Sequence, residues 1–158
     1  MGTILIIDDQ PGTLGMHIGE IIKRGFSVKI VSSCQEAFER YEEYSGDLSG
    51  IILDVIMPWT PGEEPPEGNQ DGMFTGIYVY QHIIHVECIM RKSRRVPPVG
   101  VLTNSADPEL EEKIIKTRRD VIDIGGGDGY ECPYRIWRKT QYKPRVFVDY
   151  YVKWIQEH

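Results

Sequence analysis

Apolar residues fall along the chain in short continuous runs separated by stretches of helical spacing. Thr3 to Ile7 is an unbroken apolar run ended by Asp8-Asp9, the pattern of a strand buried on both faces whose carboxyl end opens onto a polar site. Leu14, Ile18, Ile21 and Ile22 then recur at helical spacing, and Gly25 after Lys23-Arg24 stops the helix, which spans about 12 to 24. Phe26 to Val31 reads as a second strand and Gln35 to Tyr44 as a second helix. Gly50 to Val55 reads as a third strand, ending in Asp54. Pro58 to Gly72 holds four prolines, three glycines and the acids Glu63, Glu64, Glu67 and Asp71, so it predicts a long acidic loop.

The same rhythm resumes beyond it. Met73 to Arg91 predicts a helix, Val96 to Thr103 a strand, and Asp107 to Arg119 a helix with Asp107 as N-cap and Pro108 in its first turn. Gly125 to Tyr130 is a glycine-rich turn, Arg135 to Tyr142 a fifth strand, and Pro144 to Gln156 a closing helix. Five strands alternating with five helices through right-handed crossovers imply an α/β fold: a doubly wound, five-stranded parallel sheet with helices on both faces.

The length of 158 residues matches one domain, and 41% apolar with 27% charged residues is enough to bury a core. A net charge of -6 disfavours direct binding to nucleic acid or anionic lipid. Cys34, Cys88 and Cys132 form no C-x-x-C pair and no disulfide framework, and no apolar run is long enough to span a membrane. A cytoplasmic protein without a leader is expected.

In such a sheet the functional site lies beyond the carboxyl ends of the strands. Strand one ends in Asp8 and Asp9, strand three in Asp54, strand four in Thr103, and the last strand in Lys143. Three carboxylates, a hydroxyl and an ammonium would therefore converge on one edge. Clustered carboxylates repel, and a hard cation relieves them; Mg²⁺ needs only one or two carboxylates and a backbone carbonyl besides its waters.

Ile4-Leu5-Ile6-Ile7-Asp8-Asp9, Leu53-Asp54-Val55-Ile56-Met57-Pro58, Val101-Leu102-Thr103 and Lys143-Pro144 together resemble the signature segments of the receiver domains of two-component response regulators. The resemblance implies one receiver domain over 1–158 in the flavodoxin-like strand order 2-1-3-4-5, with insertions at about 59–75 and 121–136. It implies that Asp54 accepts a phosphoryl group from a histidine kinase or phosphotransfer protein. Asp9, Asp54 and the backbone carbonyl of Ile56 would bind Mg²⁺, with Asp8 assisting through water. Thr103 would hydrogen-bond the phosphoryl group and Lys143 would pair with its charge. Such a chain is a signalling phosphoacceptor rather than an enzyme with its own substrate, assisting only its own phosphorylation and dephosphorylation. Unless the chain is a fragment of a longer protein, no effector domain is expected after the closing helix, and output would pass to a downstream protein partner.

Four features depart from that pattern. Thr103 and Lys143 are 40 positions apart, roughly double the usual interval; the acidic loop precedes Gly76; Thr140 stands three residues before Lys143 in place of a switch Tyr or Phe; and Asn104 is larger than the usual small residue. A receiver-like interaction module that is not phosphorylated is the alternative from another class. The acidic insertion would be either a solvated loop or a surface that selects the kinase by charge. On the closing helix, Phe147, Tyr150 and Trp154 form an aromatic stripe beside the core stripe Val148, Val152 and Ile155, which suits a homodimer or partner face.

Other motifs carry less. Val121 to Gly129 looks like a methyltransferase strand and glycine loop, but only 29 residues follow it. His82, His85 and Cys88 drift around their helix and lack a fourth metal ligand, and Arg91 to Arg95 suits a solvated helix end. An Asp-nucleophile phosphohydrolase would want D-x-D at the end of strand one, where this chain has adjacent acids.

Overall fold

The computed structural model describes residues 2–93, 95–124 and 130–158. The glycine-rich run 125–129 and Arg94 of the basic stretch lie outside the described residues. Five parallel strands, β1 (Thr3–Ile7), β2 (Ser27–Val31), β3 (Leu48–Leu53), β4 (Val99–Thr103) and β5 (Tyr134–Arg138), form one sheet in the order β2-β1-β3-β4-β5. That is the doubly wound order expected. The central strands carry side chains buried on both faces, as their uninterrupted apolar runs require.

The helices are α1 (Gly15–Lys23), α2 (Cys34–Tyr44), α3 (Thr75–Ile84), α4 (Leu110–Ile124) and α5 (Pro144–Gln156). Helices α1 and α5 cover one face of the sheet over a core of Ile4, Ile6, Ile52, Leu102 and Trp137; α2, α3 and α4 cover the other over Leu5, Ile7, Ile51, Leu53 and Val101. Local chemistry sets their ends. Ser33 caps α2 by accepting from Glu36 N–H, while the Glu36 carboxylate accepts from Ser32 N–H. Pro144 opens α5, where its missing N–H is not needed.

Several boundaries differ from the sequence pattern. The first helix begins as a 3₁₀ turn, Pro11–Leu14. Asp107 does not cap α4: its carboxylate accepts from Glu109 N–H in a turn, and the helix starts at Leu110. Helix α4 then runs to Ile124, so the stretch expected as a second insertion from about residue 121 begins inside this helix, and Val121 is buried in the core. After Ile84 the backbone widens into a π-helical turn, His85–Met90.

The acidic segment forms no strand and only a short 3₁₀ turn, Gln70–Gly72, but its ends are fastened. Trp59 packs edge-on against Phe38 and Tyr78, and Pro58 accepts a hydrogen bond from the Cys34 thiol. Asn69 is buried: its amide oxygen accepts from Phe74 N–H at 2.8 Å and its amide nitrogen donates to Thr75 Oγ1 at 3.0 Å, so it ties the loop to the start of α3.

The aromatic stripe expected as a partner face of α5 is mostly covered. Phe147 and Trp154 are buried, and only Tyr150 of the three is exposed. The element that covers them is Trp137 of β5, whose ring meets Phe147, Tyr151 and Trp154 edge-on at centroid distances of 5.3, 6.0 and 5.6 Å. The helix lies over β3 and β4, with Tyr151 against Gly50 and Gly100, and the Trp137 side chain reaches in from the edge strand to cover a second row of its residues. Trp137→Ala is expected to destabilise the fold by about 4 kcal/mol, read from chemical denaturation, because this ring is fully enclosed.

Candidate functional site

Strand register explains which polar residues meet. Ile7 pairs with Leu53, so the next residues of the two central strands, Asp8 and Asp54, emerge side by side at the carboxyl edge. Asp8 N–H donates to Val31 C=O and Asp54 N–H donates to Ile7 C=O, both at 3.0 Å, which fixes the backbone from which the carboxylates project. Carboxylate oxygens of Asp8, Asp9 and Asp54 lie within 4.8 Å of one another, and Asp8 and Asp54 are buried.

Each oxygen of Asp54 has a partner. Its Oδ1 accepts from Ile56 N–H at 3.1 Å and from the Thr103 hydroxyl at 2.9 Å; its Oδ2 accepts from the Lys139 ammonium at 3.0 Å. Lys139 also donates to Asp8 Oδ2 at 3.0 Å, and Asp8 Oδ1 accepts from Gln10 N–H. Burial pulls the Lys139 pKa down, but the charges of Asp54 and Asp8 outweigh it and hold the ammonium above its ordinary value. Asp9 is shifted up, first by burial and then by the neighbouring charge of Asp8.

The structure therefore brings together Asp8, Asp9, Asp54 and Thr103 as the sequence places them, but the lysine is different. Lys143 is exposed at the N-cap of α5, whereas Lys139 occupies the place between the carboxylates. The reason is the length of β5. Thr103 pairs with Arg138, the strand ends there, and residues Lys139–Gln141 turn as a 3₁₀ segment. Lys139 is thus the first residue past the sheet edge, and Lys143 stands a full turn farther on. Counted from Lys139, the residue three before it is the half-buried Ile136, not Thr140, so no ring stands at that position either.

Close packing holds the segment that carries Asp54 against α3. Gly76 N–H donates to Val55 C=O at 2.8 Å, and a Cβ on Gly76 would overlap the Asp54 carbonyl oxygen. The Gly76 position, separated from Pro58 by the insertion, thus meets the strand backbone directly. The carboxylates face a cavity of about 560 Å³, also lined by Ile56, His17, Asn104, Lys139 and Asp71 of the insertion. Sequence reading did not place His17, Asp71 or Lys139 here. Burial, then the charge of Lys139, lowers the His17 pKa.

The raised Asp9 has a testable consequence. Its folded pKa exceeds 3.8, so the folded state holds the proton longer than the unfolded one, and stability falls as pH rises through the folded value. Asp9→Asn, which stays neutral, is expected to melt above the metal-free parent at pH 7 and to lose the stabilisation that millimolar Mg²⁺ gives the parent. Thermal melts of both proteins, with and without Mg²⁺, check it; equal Mg²⁺ shifts in the two would contradict it.

No protein-family model matches the sequence, and no curated protein does either. Solved structures do. The chain is similar to a CheY-like response regulator receiver domain protein from Methanospirillum hungatei JF-1, with a TM-score of 0.61 at 15% identity over 99% of this chain and 95% of that one. A response regulator receiver protein from Pseudoalteromonas atlantica gives a TM-score of 0.63 at 14% identity, covering 98% and 97% of the two chains. Chemotaxis protein CheY4 of Vibrio cholerae gives 0.58 at 16% identity, covering 97% and 98%. The chain has the receiver-domain fold, with an acidic cluster at its carboxyl edge. Among the described residues, no helix is long and apolar enough to cross a membrane.

Proposed function

We propose that the chain is a phosphoacceptor of a two-component system, in which Asp54 takes a phosphoryl group from a histidine kinase or phosphotransfer protein in the cytoplasm. The observation that carries this reading is the Lys139 ammonium held between Asp8 and Asp54, with the Thr103 hydroxyl on the same Asp54 carboxylate. A lysine and a hydroxyl donor at a carboxylate are what an incoming phosphoryl group needs for its charge.

The donor set suits Mg²⁺: three carboxylates within 4.8 Å of one another against one ammonium leave an excess of negative charge. Asp9, Asp54 and the Ile56 carbonyl would hold the ion, with Asp8 assisting through water, and the ion would neutralise charge on the phosphoryl oxygens. An Asp54 oxygen attacks phosphorus as the bond to the donor's imidazole nitrogen breaks, and that nitrogen keeps the electron pair. Lys139 and Thr103, released from the carboxylate oxygens they now hold, donate to the phosphoryl oxygens. The ring-free position Ile136 leaves movement of Thr103 as the switch that reaches the protein surface, and a downstream protein partner reads it.

Incubation with acetyl phosphate and Mg²⁺, followed by intact mass measurement, tests the reading. One added phosphoryl group that appears only with Mg²⁺ is expected. No uptake, either from acetyl phosphate or from a phosphorylated histidine kinase, would overturn it in favour of a receiver-like interaction module.

A further inference from the structure

The acidic insertion is fastened so that one of its acids returns to the carboxylate cavity. Asn69 holds the loop to the start of α3, and Gly72 C=O accepts from Met57 N–H at 3.2 Å. Gly72 adopts a left-handed backbone (φ 74°), and a Cβ there would overlap the Met57 carbonyl oxygen, so the loop is drawn directly against the segment leaving β3. Asp71, between these two anchors, takes the left-handed conformation at φ 54° that Asp tolerates better than most residues. Its exposed side chain lines the same cavity as Asp8, Asp9, Asp54 and Lys139. It stands outside the tight cluster of three, and no side chain among the described residues pairs with it. Glu63, Glu64 and Glu67 of the same loop do not line the cavity.

We propose that Asp71 is a charge gate that selects the phosphodonor, disfavouring free small phosphoanions relative to a phosphohistidine presented by a protein. This rests on the phosphoacceptor reading above. Four carboxylates and one ammonium give the cavity a formal charge of -3, and a divalent cation leaves -1. Without Asp71 the loaded cavity is neutral. A free phosphoanion must approach against the remaining charge, whereas a protein donor carries its own cationic groups and can answer the loop's acids by complementarity. The same charge draws Mg²⁺ inward, so the gate has two measurable signs: slower entry of anions and tighter binding of the cation.

The test compares the parent, Asp71→Asn and the double variant Glu63→Gln/Glu64→Gln, which removes two charges from the loop away from the cavity. Initial phosphorylation rates with acetyl phosphate are measured at saturating Mg²⁺ in low and high salt. Mg²⁺ affinity is read separately from thermal melts without donor. Asp71→Asn is expected to gain roughly three- to tenfold in rate at low salt, with the gain shrinking at high salt, and to bind Mg²⁺ severalfold more weakly. The double variant is expected to match the parent in both. A parent that is phosphorylated while Asp71→Asn shows the parent's rate and Mg²⁺ affinity overturns the gate alone. An equal gain in the double variant assigns the effect to the loop's overall charge and also overturns it. Failure of both the parent and Asp71→Asn to take up phosphate from acetyl phosphate overturns the phosphoacceptor reading, and the gate with it, whereas uptake by Asp71→Asn alone supports the gate.

Discussion

Asp54→Asn is expected to lower phosphoryl uptake from acetyl phosphate by at least about a hundredfold, to the background of the assay. The amide keeps the shape and can still accept from Ile56 N–H and Thr103, both of which meet a single oxygen in the parent. It supplies no anionic oxygen to attack phosphorus, and it no longer attracts the Lys139 ammonium. The fold should persist, because Ile7 C=O still receives the backbone N–H of residue 54 and the apolar strands on either side are untouched. Far-ultraviolet circular dichroism of the variant should therefore match the parent while its mass does not change with donor. Uptake at the parent's rate would remove Asp54 from the mechanism.

Lys139→Met separates the two lysines that sequence reading could not. Lys139 is largely buried between two buried carboxylates, so its removal leaves both without a counter-charge. Breaking a buried ion pair from one side costs about 3 kcal/mol, equivalent to a fall in melting temperature of roughly 6–12 °C for a chain of this size. Lys143→Ala, at an exposed cap with no side-chain partner at that helix start, is expected to change stability by less than about 0.5 kcal/mol. The folded pKa of Lys139 lies above 10.5. Its contribution is fully present below the unfolded value and disappears only as pH rises through the folded one, so the deficit of the variant should be flat through neutral pH and close in strong base. Millimolar Mg²⁺ should restore part of the loss, since the ion supplies charge to the same carboxylates. Thermal melts across pH, with and without Mg²⁺, measure all of this. Equal losses in the two lysine variants would contradict the geometry.

These two lysines also show what the sequence could disclose. Asp8, Asp9, Asp54 and Thr103 were legible because each follows an apolar run buried on both faces, and a parallel sheet carries all such ends to one edge. The strand order followed from the same alternation together with the resemblance. The edge strand β5 was less legible. It is partly exposed, so its run Tyr134–Arg138 is mixed, and the Lys143-Pro144 pair marked the start of α5 rather than the sheet edge. A strand of five residues, the length of β1, β2 and β4, would have pointed to Lys139. Helix periodicity found the apolar arc of α5 but not its neighbours: Phe147 and Trp154 are buried because Trp137 comes from another strand, a contact with no local signature. Asp71 was visible only as one acid among several in a loop of turn residues. Its place at the cavity depends on Asn69 and Gly72, whose anchoring partners Phe74, Thr75 and Met57 are set by tertiary structure.

The phosphoryl bond on Asp54 can itself be trapped. The protein is incubated with acetyl phosphate and Mg²⁺, reduced with borohydride, which converts an acyl phosphate to an alcohol, and mapped by peptide mass. Homoserine is expected at position 54, dependent on both donor and Mg²⁺, with Asp8 and Asp9 unmodified. An unmodified Asp54, or reduction at another carboxylate in its place, would contradict Asp54 as the phosphoacceptor.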